Sequence, residues 1–156
     1  MNADSAVIKE LNAALKGQLT AINQTFLHAR MAKNWGLEEI NSHEYKASIE
    51  AMKMADDLIE RILFLEALPG MQALNRLQIG ENVPEMFAGD LSVHTEIRDQ
   101  LVTAVDVCEK AQDYVTRDLL IHVLEETEEQ IDWLETQQWQ ITNSGLENYL
   151  AAQMDD

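Results

Sequence analysis

The chain has one cysteine, Cys108, so no disulfide can close within it, and the cytoplasm is the expected compartment. Only two prolines and six glycines interrupt 156 residues. With Ala, Leu, Glu, Gln and Met plentiful, that scarcity favours helix throughout. No apolar run reaches the roughly 18 residues that would suggest a membrane span. The opening MNADSAVIKELNAAL carries an early acid and no long apolar segment, so a secretory signal is not expected. Basic residues are also few, 11 Lys and Arg against 28 Asp and Glu, for a net charge of −17. Such a surface repels phosphate backbones and anionic membranes, and points instead to metal cations or a basic protein as partners. The length fits one domain over residues 1–156.

What is present is helical periodicity, organised around Tyr45 to Pro69, which reads as one long helix. At about 100° per residue, Ala47, Ala51, Met54, Leu58, Ile62 and Leu65 fall within about 80° of one another and form a core stripe. Tyr45, Ile49, Met52, Ile59 and Leu63 gather roughly 120° away. A monomer needs only one buried stripe, so the second must meet another surface, with Met52 at its centre. The first helix repeats the pattern. Asp4 or Ser5 can cap it, and it runs to about Trp35 and ends at Gly36. Its core stripe is Leu11, Ala14, Leu15, Gln18, Ile22, Thr25 and Ala29, and Leu19, Asn23 and Phe26 lie beside it. Two helices with spare stripes can make a subunit interface.

LPGMQALNRLQIGENVP follows, keeping Leu68, Leu74, Leu77 and Ile79 among Pro69, Gly70 and Gly80. It reads as a long packed crossover, which allows consecutive helices to lie parallel. Asn82 can cap a third helix to about Ala111, with Glu85 at the capping-box position. Leu91, His94, Ile97, Leu101 and Val105 lie near one face of it. Asp113 can cap a fourth through Leu120, Leu124, Thr127, Ile131 and Leu134 to about Ile141. Asn143-Ser144-Gly145 breaks it, and LENYLAAQM forms a short fifth. The fold class is all-α, a ferritin-like four-helix bundle with one long crossover and a short C-terminal fifth helix.

The stretches LTAINQTFLHARMAKNWGLEE, IERILFLEALP, LQIGENVPEM, DYVTRD, QIDWLET and LENYLAAQ resemble bacterioferritin from end to end. The resemblance implies a hollow cage of two dozen subunits storing a ferric mineral. It also implies a di-iron ferroxidase centre with Glu at positions 18, 51, 94 and 127 and His at 54 and 130. Here those positions hold Gln18, Ala51, Met54, His94, Thr127 and Gln130, so the ligand set is replaced. Glu126 and Glu128 flank position 127 but are rotated about 100° off its face. Thr25 and Leu58 stand where the family places tyrosines near the iron. His94 among Leu91, Ile97 and Leu101 reads as a hydrogen-bonded core residue, with Gln18, Thr127 and Gln130 as partners.

The family also binds haem b between two subunits through a Met from each, and Met52 stands at that position. Leu19, Ile22, Asn23, Phe26, Tyr45 and Ile49 resemble its pocket. The competing reading makes Met52 an apolar gap-filler. Leu68, Leu74, Leu77, Glu81 and Glu85 resemble the surface that docks the bacterioferritin-associated ferredoxin. His28, His43 and His122 have no acidic or cysteine companions at ligand spacing. Glu38-Glu39, Glu125-Glu126 and Glu128-Glu129 read as solvated faces, some of which can line a cavity and hold ferric ions. Cys108 reads as packing, and Asn34, Glu66 and Asp132 resemble pore-lining positions. The resulting expectation is a haem-bearing, iron-storing subunit of a mixed cage, with a second, ferroxidase-competent bacterioferritin subunit oxidising the iron. Its rivals are a homopolymer oxidising iron at a non-standard site, a haem electron-transfer protein with little storage role, and a structural subunit without haem.

Overall fold

In a computed structural model describing residues 1–154, five helices follow one another. Asp155 and Asp156, the end of the expected 1–156 domain, lie outside the described residues. The helices are α1 (Ser5–Asn34), α2 (Glu38–Phe64), α3 (Val83–Lys110), α4 (Tyr114–Ser144) and α5 (Leu146–Gln153). No helix is long and apolar enough to cross a membrane among these residues. α1 packs on α2 and α3, and α3 packs on α4, with α5 against the ends of α4 and α2.

The caps follow from side-chain chemistry. Asp4 accepts the Ala6 amide at 2.8 Å, Asn82 accepts that of Glu85 at 2.9 Å, and Asp113 accepts that of Thr116 at 3.1 Å, each satisfying a donor orphaned at a helix start. Glu85 reaches back to the Glu81 amide at 3.1 Å rather than to that of Asn82.

Two helices differ in their bounds from the sequence reading: α4 continues through Asn143 to Ser144 and stops only at Gly145, and α2 differs at both ends. The central helix starts at Glu38 and stops at Phe64, not at Pro69. Glu66 takes a left-handed backbone with φ of 60°. The amides of Glu66 and Ala67 then turn back to the carbonyls of Leu63 and Ile62. That closure satisfies the last turn's carbonyls and ends the helix.

The two stripes separate as their angles require. Ala51, Met54, Leu58, Ile62 and Leu65 are buried in one core with Leu11, Ala14, Leu15, Ile97, Leu101 and Leu120, and Ala47 is buried as well. A smaller core at the other end gathers Phe87, Met86, Leu37, Ile40, Leu134 and Tyr149.

The crossover departs from the expectation of apolar packing. Leu68, Leu74 and Ile79 are exposed. The segment has no secondary structure, and polar side chains of α1 hold its backbone instead. Asn12 bonds the Leu68 carbonyl and the Gly70 amide, and Thr20 accepts the Asn75 amide. Gln24 both donates to the Gln78 carbonyl at 2.7 Å and accepts its amide at 2.9 Å. His28 takes the Gly80 amide at 3.1 Å. Positions 20, 24 and 28 are four apart, so they line one face of α1 and present a row of partners to an extended chain. Close approach also requires Gly89, where a Cβ would overlap the Gln78 carbonyl.

Candidate functional site

Gln18, Ala51, Met54, His94 and Thr127 are buried where the four long helices meet, and Gln130 is half-buried. The side chains do not form the network expected around His94. The Thr127 hydroxyl donates to its own helix at the Val123 carbonyl, 2.8 Å away, and Thr25 does the same to Ala21. His94 donates from Nδ1 to the Asp90 carbonyl at 2.8 Å. Gln130 turns outward and accepts from His43 Nε2 at 3.0 Å. The reason is local: a helical hydroxyl or imidazole finds the carbonyl four residues back before it finds a neighbouring helix. Thr25, His94 and Thr127 are thus each bonded within their own helix, and none of the six positions carries a carboxylate. Glu128 is held by Arg98 at 2.9 Å, away from position 127.

His43 also lies flat on Trp133, with ring centroids 3.5 Å apart and planes 5° from parallel. Burial pushes its pKa down, against the opposing pull of the Gln130 bond. The two rings edge a groove of about 700 Å³ between α2 and α4, lined by Glu50, Glu126, Glu129, Asp132 and Lys46. Its acids can attract cations from solvent.

The second stripe faces outward. Met52 is 54% exposed, Phe26 46% and Tyr45 41%, with Leu19, Ile22 and Ile49 half-buried and Asn23 exposed beside them. Phe26 and Tyr45 meet across the α1–α2 seam at 6.1 Å between centroids. The Arg30 guanidinium lies over both rings, 5.7 and 5.0 Å from their centroids. A further exposed apolar set comprises Leu68 and Leu74 with Leu63, Phe64 and Met71, and Leu77 is half-buried. Glu81 and Glu85 are exposed near the crossover's end, Glu85 already engaged in the α3 cap.

Spacing along the chain gives His28 no acidic companion, but the fold does: Glu44 from α2 and Asp90 from α3 join it in a fully buried cluster. No spacing along the chain could reveal it, because each residue comes from a different helix. Some signal existed in the row Thr20, Gln24, His28, an i, i+4 series of polar groups on an otherwise core-facing helix.

Four long helices, one crossover and a small end helix define the ferritin-like class. The ferritin-like domain of the Ferritin family matches residues 8–144. A bacterial ferritin of Synechocystis sp. is 42% identical over 155 residues, covering 99% of both chains. A bacterioferritin of Mycobacterium avium is 40% identical over 151 residues, 97% of this chain and 95% of its own. One from Brucella melitensis is 38% identical over 149 residues, 96% and 92% respectively. The chain belongs to the bacterioferritin family of ferritin-like proteins.

Proposed function

We propose that this chain is an iron-storage bacterioferritin subunit of the cytoplasm, a single ferritin-like domain over residues 1–156. In this reading it binds haem b at a two-fold subunit interface and forms part of a hollow multi-subunit cage. A second, ferroxidase-competent bacterioferritin subunit oxidises the ferrous iron. The observation that carries the reading is a contrast. The di-iron positions hold no carboxylate, while an unneeded apolar stripe with a thioether at its centre stays open to a second copy.

The open stripe fits the haem by chemistry. Met52 offers a soft sulfur, and Leu19, Ile22, Phe26, Tyr45 and Ile49 offer an apolar wall. Met52 would hold the iron, the aromatic pair would exclude water, and Arg30 would supply the nearby positive charge. When bound, haem supplies a one-electron couple. The acids of the α2–α4 groove would collect iron on the mineral side. Leu68, Leu74, Leu77, Glu81 and Glu85 would receive the bacterioferritin-associated ferredoxin that returns electrons for release. Leu68 at 85% exposure is the natural anchor.

The test is aerobic oxidation of ferrous iron by this chain expressed alone, read against a protein-free blank. No acceleration over the blank is expected. Rapid protein-dependent oxidation would instead establish a homopolymeric ferroxidase with a non-standard site, and His94 would be the first residue to replace.

A further inference from the structure

The buried cluster of His28, Glu44 and Asp90 takes no part in the function proposed above. These residues are 0%, 2% and 1% exposed. One nitrogen or oxygen from each lies within 4.8 Å of the others. By composition the cluster could hold a cation, but its hydrogen bonding assigns the imidazole otherwise. The Gly80 backbone N–H can only donate, and it meets His28 Nε2 at 3.1 Å. Nε2 therefore keeps its lone pair, and the network assigns the ring hydrogen to Nδ1. That hydrogen goes to Asp90 Oδ1 at 2.7 Å, an oxygen that also accepts from Gln24 Nε2 at 3.1 Å. Neither nitrogen is left for a metal.

Asp90 Oδ1, accepting two hydrogen bonds, belongs to a carboxylate. Its other oxygen, Oδ2, and Glu44 Oε2 are both buried with no donor from any ordinary hydrogen-bonding group. Two ionised carboxylates would leave two orphaned oxygens and an uncompensated double charge in the core. A single proton between them removes both orphans and one charge.

We infer that Glu44 and Asp90 form an acid–carboxylate pair carrying one proton at neutral pH, and that this proton fastens the Gly80 end of the crossover to the bundle. Burial and the adjacent Asp90 push the Glu44 carboxyl well above the usual range. Burial works against ionised Asp90, yet the hydrogen bonds from Glu44 and His28 hold its pKa below the usual value. The other titratable groups facing the pair are His43 on α2, His94 on α3 and Tyr149 on α5. None is a permanent cation. Arg30 on α1 donates to Asn41 and lies over Phe26 and Tyr45. The charges that act on Glu44 and Asp90 come from each other, His28 and His94, with no arginine or lysine to offset a second negative charge. As pH rises, the Glu44 O–H bond breaks and hydroxide takes the proton as water. Repulsion between two carboxylates then parts α2 from α3, Asp90 loosens its hold on His28, and the Gly80 amide is released.

Infrared spectroscopy of the intact protein tests the first half. A protonated-carboxyl C=O band at neutral pH, present in the wild type and absent in Glu44→Gln, is expected. If the band is missing at neutral pH, the pair is ionised and the inference falls. Stoichiometric zinc uptake by the chelator-treated protein, lost in Glu44→Gln, would equally overturn it by making the cluster a cation site. Hydrogen exchange at Gly80, corrected for intrinsic base catalysis, tests the second half. Protection is expected to fall by up to about tenfold per pH unit once Glu44 titrates. Protection that ignores pH would sink the fastening role. This exchange measurement needs only the wild type, so it stands even if Glu44→Gln fails to assemble.

Discussion

Met52 illustrates what a single side chain decides. Its exposure means that replacing it should change stability by no more than about 0.5 kcal/mol. Met52→Leu keeps the apolar bulk and removes the sulfur. The expected outcome is loss of the haem absorption bands from the purified protein with an unchanged helical circular dichroism spectrum. Tyr149 is the opposite case. Its hydroxyl donates to Gln137 at 2.5 Å inside the end core, and Phe87 packs edge-on against its ring. Burial pushes the Tyr149 hydroxyl's pKa up, so it remains a donor at all ordinary pH. Tyr149→Phe should cost about 1–3 kcal/mol by leaving the Gln137 oxygen without its partner, measurable by denaturant titration. Met52's place was legible in the sequence because helical angles fix which stripe it joins. The bond between Tyr149 and Gln137 was not, because it depends on how α5 folds back on α4.

Helix ends and the crossover set the next scale. Asp113 caps α4 through the Thr116 amide and hydroxyl and is joined by Arg61 at 3.1 Å. Burial would raise its pKa, but the Thr116 bonds and Arg61 outweigh burial and lower it. A depressed carboxylate stabilises the fold above its unfolded pKa of about 3.9, and that stabilisation is lost as pH falls through the lower folded value. Asp113→Ala should therefore cost about 1–2 kcal/mol near neutral pH, and the gap to wild type should close in strong acid. Denaturant midpoints at the two pH values read this directly. For the crossover, Gln24→Leu removes both bonds to Gln78 and should speed limited proteolysis between Leu68 and Gly80, while the helices resist cleavage. The caps were readable, since Asp4, Asn82 and Asp113 announce themselves locally. The end of α2 was not, because the apolar pattern runs on through Leu65 and Leu68 while the backbone has already turned at Glu66.

For the whole molecule, the positions Gln18, Ala51, Met54, His94, Thr127 and Gln130 carry no carboxylate in a chain of net charge −17. Glu44 and Asp90 are buried, whereas Glu50, Glu126, Glu129 and Asp132 line the α2–α4 groove, where water or cations can meet them. Reversing the centre tests this arrangement. Gln18→Glu, Ala51→Glu, Met54→His, His94→Glu, Thr127→Glu and Gln130→His together should lower the melting temperature of the metal-free protein, because buried carboxylates would lack counter-charge. Added ferrous iron under nitrogen should restore the melting temperature by binding the folded state, and admitting air should then produce ferric iron faster than the blank.

The sequence by itself determined the run of helices, the caps of α1, α3 and α4, and the split between the buried stripe and the Met52 stripe. Each of these depends on neighbours within a few turns of one helix. Only the tertiary structure decided what His28, Glu44 and Asp90 do, because three helices must pack before those groups can meet. It also decided that polar side chains of α1, rather than leucines, hold the crossover. An extended segment without secondary structure must bond its backbone somewhere, and which surface offers the partners is settled only when the chain has folded across it.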